Sequence, residues 1–305
     1  MRILIATEKP FTADAVNRIE EKIEQAGHDF VLLEKYSDSG QLFDAVKEAD
    51  ALIVRSDRVD EQLFEHAPNL KVVVRAGAGY DNIDLDAATK HGVVAMNTPG
   101  QNANGVAELV FAMMLMSYRH FMKGSSGHEL RGKRIGVHAY GNVASNVARI
   151  AKGFDMEVFA YDAYCAPEKM KHDDVIMVGS REDLYRYCDI VSIHVPLTEE
   201  TRRSVDFDLM NLMPHDPLLI NTARKEVMNE EDLLRLMTIR QDFCYMTDVM
   251  PGLHEILNSK FGDRYFSTPK KMGAQTAEAN LKAGVAAADQ IIEFFRTGDD
   301  HFRVN

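Results

Sequence analysis

Short apolar runs recur along the chain, each followed by a stretch with helical spacing. Ile3 to Ala6, Phe30 to Leu33, Ala51 to Val54, Lys71 to Val74 and Val93 to Met96 read as strands. Ala13 to Ala26 and the segment around Gln41 to Lys47 read as helices between them. Runs that are apolar throughout, rather than alternating, mark strands covered on both faces, so the pattern predicts a parallel sheet flanked by helices. Thr98-Pro99-Gly100 breaks the alternation, and Asn104 to Met122 then reads as one long apolar helix crossing into a second unit. From Gly132 the pattern restarts. Strands are expected at Arg134 to His138, Met156 to Tyr161, near Val175, at Ile190 to His194, Leu218 to Asn221 and Tyr245 to Val249. The Ala-rich helix Ala277 to Phe295 is read as returning to the first unit. The expected fold is α/β, with two Rossmann-like, doubly wound domains and a cleft between them. One is discontinuous, residues 1–99 plus 284–305, and the other spans 100–283.

Composition narrows the class. With 305 residues and 46% hydrophobic positions, the chain can bury two cores. Lys plus Arg total 35 against 47 Asp plus Glu, a net charge of −12, which argues against a nucleic-acid partner. No apolar run is long enough to span a bilayer, and MRILIATEKP enters a strand directly without a signal-peptide pattern. Cys165, Cys188 and Cys244 fit no metal-ligand spacing and leave an odd thiol, so no metal and a cytoplasmic location are expected.

The stretch GKRIGVHAYGNVASNVARIAKGFDMEVFAYD, Gly132 to Asp162, reads as strand, tight turn, helix, strand. Ala139, Gly141 and Ala144 stand where a dinucleotide fingerprint has its small residues. The turn and first helical residues, Tyr140, Gly141, Asn142 and Val143, would offer backbone N–H groups and a positive helix end to a pyrophosphate. Asp162, closing the second strand, would accept hydrogen bonds from both ribose hydroxyls and repel a 2′-phosphate, which favours NAD. Ala139 departs from the pattern, because a Cβ hinders positive φ. The turn alone is equally compatible with an ordinary strand-turn-helix.

In open parallel sheets, ligands sit beyond the carboxyl ends of strands. The informative residues cluster there: Arg55, Arg75 to Gly79, Asn97, His194 to Pro196, Arg224 and Asp248. With RAGAGYDNIDLDAATKHGVVAMNTPGQN from Arg75, LINTARKEVMNEEDLL from Leu219, and STPKKMGAQTAEAN from Ser267, the chain resembles the D-isomer-specific 2-hydroxyacid dehydrogenases over essentially its whole length. Within that family it is most similar to members acting on the phosphorylated hydroxyacid D-3-phosphoglycerate. The resemblance implies NAD as cofactor, a substrate-binding first domain, an NAD-binding second domain and a homodimer formed through the latter. It places His194, Val195 and Pro196 on the adenosine side, Thr222 and Ala223 in the cofactor-lining block, and Asp248 near the nicotinamide carboxamide. Asp81 and Asn82 would shape the substrate loop, although turn chemistry explains them equally.

Hydride transfer from a secondary alcohol needs an anchored carboxylate, a polarised oxygen and a proton acceptor. The N–H groups of Gly77, Ala78 and Gly79 form a candidate carboxylate nest. Arg224, ending a strand, would hold the carboxylate and the reacting oxygen with its planar fork. Arg55 is a candidate for a substrate phosphate, and Arg75 a second one or a structural ion-pair partner. Asn102 matches a substrate-loop position and equally a helix cap. Most of the family has a histidine after the Thr-Pro of its last motif. Here the run is Thr268-Pro269-Lys270-Lys271-Met272-Gly273, and Lys271 is the preferred acid/base residue, with Lys270 the alternative register. Burial and nearby Arg224 are expected to disfavour the charged lysine. The family's usual glutamate falls at Leu253, an absence consistent with a lysine base, with Glu255 a possible substitute. His138, in the strand before the turn, is expected to be buried and hydrogen-bonded.

The segment Tyr118 to Leu130 is shorter than in many relatives, and the chain stops soon after its last helix, so regulation by serine through a further domain is not expected. The alternatives are a dehydrogenase or reductase of another 2-hydroxyacid and a non-catalytic NAD-sensing binding protein.

Overall fold

The computed structural model describes residues 1–305, which divide into two compact units: Met1–Asn102 with Thr276–Asn305, and Ala103–Gln275. The first unit runs β1 (Arg2–Thr7), α1 (Ala13–Gln25), β2 (Asp29–Glu34), α2 (Ser39–Val46), β3 (Ala51–Val54), α3 (Glu61–Glu65), β4 (Val72–Arg75), α4 (Leu85–Lys90) and β5 (Val94–Asn97). Its five strands are parallel in the order β2-β1-β3-β4-β5. The central strands β1 and β3 are essentially sealed from solvent, as their unbroken apolar runs require. Helices start where the sequence supplies acceptors for orphan N–H groups: Thr12 caps α1, Asp38 caps α2, Asp60 caps α3 and Asp84 caps α4.

The second unit opens with α5 (Ala103–Tyr118) and continues through β6 (Arg134–His138), α6 (Asn142–Gly153), β7 (Glu157–Tyr161), α7 (Pro167–His172), β8 (Ile176–Met177), α8 (Arg181–Tyr187), β9 (Ile190–Ile193), α9 (Phe207–Asn211), β10 (Leu218–Asn221), α10 (Glu230–Ile239), β11 (Cys244–Thr247), α11 (His254–Phe261) and β12 (Tyr265–Ser267). The seven strands lie parallel in the order β12-β11-β10-β9-β6-β7-β8, the doubly wound order with its reversal beside β6. The last helix, α12 (Ala277–Thr297), packs its alanine face, Ala283, Ala287 and Ala288, into the core of the first unit with Ile3, Ile5, Ile19 and Ile23. Small side chains let it lie close to the sheet, and Gly298 ends it at φ 79.

Several expectations need correction. The helix expected over Asn104 to Met122 stops at Tyr118, because His120, Phe121 and Met122 take φ of 47, 55 and 57, a left-handed turn that a right-handed helix cannot continue. The edge strand β12 was not anticipated: three residues are too few for a periodic signal. The units divide at Ala103 and Thr276 rather than at 100 and 284. Thr276 caps the whole of α12, so the helix belongs to the first unit from its first residue.

Candidate active site

The fingerprint turn follows β6. Ala139 N–H donates to the Tyr161 carbonyl at 2.8 Å and the residue takes φ 73, the left-handed region usually left to glycine. Tyr140 N–H donates to Asp162 Oδ2 at 2.7 Å, and the other Asp162 oxygen accepts Tyr164 and Cys165 N–H at 2.8 and 2.9 Å. The carboxylate that ends β7 therefore ties the turn to the following loop. Among the anticipated cofactor residues, Tyr140 has its side chain directed inward: it is 1% exposed and its hydroxyl donates to Asp173 at 2.8 Å. Only its backbone faces the turn.

Helix α6 begins at Gly141 without a side-chain cap, and Ser145 N–H is the first to reach a helical carbonyl, that of Gly141 at 3.0 Å. The N–H groups of Asn142, Val143 and Ala144 thus present an uncapped helix end. A Cβ built at Gly141 meets no atom within 4 Å, and its φ of −88 suits any residue. Nothing within the protein requires glycine there, which fits a position reserved for a ligand that approaches the backbone. Two further buried polar atoms lack partners nearby in the sheet: His194 Nε2 and Thr222 Oγ1. They follow the register pair Ile193 and Asn221 at the ends of β9 and β10. Together these features fit a dinucleotide, with the uncapped N–H groups, the Asp162 carboxylate and the two orphan groups as its partners.

Both histidines of this region are neutral. Burial, and secondarily competition with the adjacent His138 for a proton, pushes His194 down to about 3, and burial together with the Arg181 charge pushes His138 down to about 4. His138 is 6% exposed and its Nδ1 lies 3.2 Å from the Tyr185 hydroxyl, as expected of a core histidine. Val195 is buried and Pro196 exposed beyond it.

At the end of β10 the Asn221 side chain organises the arginine-bearing turn. Its Oδ1 accepts Ala223 N–H at 2.9 Å and its Nδ2 donates to the Arg224 carbonyl at 3.0 Å. Arg224 is half-buried, with Nη1 on the Ala223 carbonyl at 3.0 Å. One strand further, Asp248 is 1% exposed. Its carboxylate, anticipated beside a nicotinamide carboxamide, accepts the Thr268 hydroxyl, Met272 N–H and Gly273 N–H at 2.8, 2.7 and 2.9 Å. Lys270 and Lys271 lie on that loop, and both are exposed. The burial expected to favour a neutral Lys271 is therefore not provided. Glu255, weighed as a substitute for the family's glutamate, is exposed on α11. Glu230 instead accepts the N–H groups of Gly252 and Leu253 at 3.0 and 2.9 Å.

In the first unit the turn after β4 holds Gly77, Ala78 and Gly79, the residues expected to form a nest. Gly77 N–H bonds back to the Arg75 carbonyl at 2.8 Å, a three-residue turn that removes it as a donor. The N–H groups of Ala78 and Gly79 remain without protein acceptors in this turn. Gly77 has φ 154, and a Cβ there would lie 1.7 Å from Arg75 Nη1, so the guanidinium rests against the glycine backbone. Asn97, one strand over, fastens the turn by donating to the Ala78 carbonyl at 2.6 Å. Arg55 is largely engaged: it donates to the Lys9 and Pro10 carbonyls at 2.7 and 2.9 Å and to Asn280 Oδ1 at 2.5 Å, and lies over the Phe11 ring. Asn102 is half-buried directly before α5.

The D-isomer specific 2-hydroxyacid dehydrogenase, catalytic domain, family matches residues 4–305. The chain belongs to the D-isomer-specific 2-hydroxyacid dehydrogenase family. It is similar to a cofactor (NAD+)-bound 3-phosphoglycerate dehydrogenase from Entamoeba histolytica, at 43% identity and TM-score 0.90, covering 100% of this chain and 98% of that one. It is also similar to a hydroxypyruvate reductase from Thermotoga maritima, 32% identical over 277 residues, 85% of this chain and 89% of that protein. A D-3-phosphoglycerate dehydrogenase from Methanocaldococcus jannaschii is 32% identical over 274 residues, 84% of this chain. The chain spans only 52% of that relative's length. This family member has no helix long and apolar enough to cross a membrane, and its three cysteines are free thiols.

Proposed function

We propose that this dehydrogenase uses NAD to oxidise D-3-phosphoglycerate to 3-phosphohydroxypyruvate, the entry to serine synthesis in the cytoplasm. The uncapped start of α6 beneath the open space at Gly141 carries the cofactor part of this reading. Asp162 would accept the ribose hydroxyls with its remaining acceptor capacity and disfavour a 2′-phosphate. Bound NAD would supply the hydride acceptor. The Ala78 and Gly79 N–H groups would hold the substrate carboxylate, with the Arg75 charge beside them. Arg224 would orient the carboxylate and polarise the reacting oxygen through its fork of donors. Lys271 would take the alcohol proton in oxidation and return it in reduction. The phosphorylated substrate is supported by the 43% identity to a 3-phosphoglycerate dehydrogenase across the whole chain. A homodimer through the NAD-binding unit belongs to the same proposal.

A second reading is a hydroxypyruvate or glyoxylate reductase. It is favoured by the hydrogen bonds that already hold Arg55, the candidate phosphate ligand, to Lys9, Pro10 and Asn280. The deciding assay is NADH oxidation with 3-phosphohydroxypyruvate, beside hydroxypyruvate and pyruvate. Preference for the phosphorylated acid supports the first reading, and activity on the unphosphorylated acids alone supports the second. NADH binding without turnover on any would turn the assignment to a non-catalytic sensor. Lys271→Ala should abolish turnover while leaving NAD affinity near normal; retention of most activity would remove Lys271 from the acid–base role.

A further inference from the structure

We infer that Asp248 is a positioning residue: its buried carboxylate grips the 268–273 loop at both ends and thereby fixes the backbone that presents Lys271. The inference rests on the acid–base reading of Lys271 for its functional consequence. The clamp itself stands on geometry. Asp248 follows β11, and its own N–H is held by the Asn221 carbonyl at 3.0 Å, so the carboxylate projects from a fixed strand end. Oδ1 accepts from the Thr268 hydroxyl at 2.8 Å and Met272 N–H at 2.7 Å, and Oδ2 from Gly273 N–H at 2.9 Å. Thr268, itself 4% exposed, is anchored a second time by its N–H on the Thr247 carbonyl at 3.0 Å. Between the grips lie only Pro269, Lys270 and Lys271, all exposed.

The loop is built to reach this carboxylate. A Cβ at Gly273 would stand 3.1 Å from Asp248 Oδ2 and 3.1 Å from the Val106 side chain of α5, so the backbone is drawn in against both. A carboxylate has roughly four lone-pair sites. Three are filled from the loop, and at 1% exposure little of the group is left to face anything else. A displacement of the order of 1 Å at a reacting group costs roughly 100-fold in rate. A rigid attachment at both ends of a short exposed span holds its backbone against such a displacement.

Asp248→Asn keeps the shape but turns one acceptor into a donor facing N–H or O–H donors. The expected result is a fall in kcat of about 10- to 100-fold, an NAD KM within about twofold, and faster hydrogen exchange of the Met272 and Gly273 amides. Thr268→Val should move the same readouts by less, and Thr268→Ser should restore them. The threonine variants keep the test alive if Asp248→Asn folds poorly. An NAD KM raised more than about tenfold with kcat unchanged would overturn the proposal in favour of a cofactor contact. Unchanged exchange at Met272 and Gly273 in Asp248→Asn would overturn the clamp itself. Failure of the lysine reading is separate, since it appears as turnover by Lys271→Ala with the exchange effect of Asp248→Asn intact.

Discussion

The turns after β4 and β6 each follow the carboxyl end of a parallel strand in a different sheet, and their glycines fall in different places. After β4, Gly77 sits at φ 154 with a guanidinium where its Cβ would be. After β6, Ala139 takes φ 73 and no glycine replaces it. The difference teaches which constraint is absolute. A left-handed dihedral costs an alanine about 1–2 kcal/mol, which a well-packed neighbourhood can absorb. A Cβ at 1.7 Å from another heavy atom cannot be absorbed, so either the glycine stays or the Arg75 side chain leaves. The two turns differ in electrostatics as well. The β4 turn is lined by the Arg75 cation, whereas the β6 turn is backed by two imidazoles that burial keeps neutral.

Among changes to these two turns, the largest effect should come from Gly77→Ala. The added methyl displaces the Arg75 guanidinium, which is flexible enough to move, and puts an alanine at φ 154, a strain of about 1–3 kcal/mol, so the protein should stay folded at reduced stability while substrate binding fails. The expected outcome is a loss in kcat/KM of about 100-fold with a melting temperature lowered by several degrees, measured by steady-state kinetics and thermal unfolding. Equal activity in variant and parent would break the argument that the guanidinium position matters.

Acid should act next, and on the second unit. His138 and His194 have folded-state values of about 4 and about 3, against roughly 6.5 unfolded. The unfolded chain binds more protons in this range, so stability is full above about pH 6.5 and falls as pH drops toward 4. Each tenfold difference in proton affinity between the folded and unfolded chain corresponds to about 1.4 kcal/mol. Melting temperatures from pH 7 to pH 4.5 should therefore decline, and His138→Gln should flatten the decline. Parallel curves for parent and variant would show that this histidine does not contribute.

The smallest effect is expected at Ala139. Ala139→Gly should relieve the left-handed strain and raise stability by about 1 kcal/mol, visible in denaturant unfolding, with NAD affinity equal or slightly improved. A destabilised glycine variant would mean that contacts of the Ala139 methyl in the core outweigh its dihedral strain.

Much of this was legible in the chain. Buried strands announce themselves by unbroken apolar runs, because a strand covered on both faces has no polar side, and β1, β3, β9 and β10 lie within about a residue of their expected spans. Two helix starts, Ala13 and Ala277, were read at their observed residues, where Thr12 and Thr276 supply the caps. The strand, turn, helix and strand of β6, α6 and β7 were visible despite Ala139, since small residues, an apolar helix face and a carboxylate after the second strand form a joint signal. Lys271 was visible as a departure within a motif, but its exposure was not, because burial of a loop residue is decided by elements far away in sequence.

What the chain determined by itself was therefore periodic or local: strand and helix order, caps, the two doubly wound units and the turns at their strand ends. Tertiary structure alone decided which polar atoms find one another. Gly77 N–H turned back on Arg75, Arg55 was drawn to Asn280 from 225 residues away, and Asp248 closed on a loop that begins 20 residues later. Hydrogen bonds act over about 3 Å and depend on direction. Spacing along a chain places strands in register, but the final ångström that assigns each donor to its acceptor exists only once the sheets, the helices and their caps have assembled.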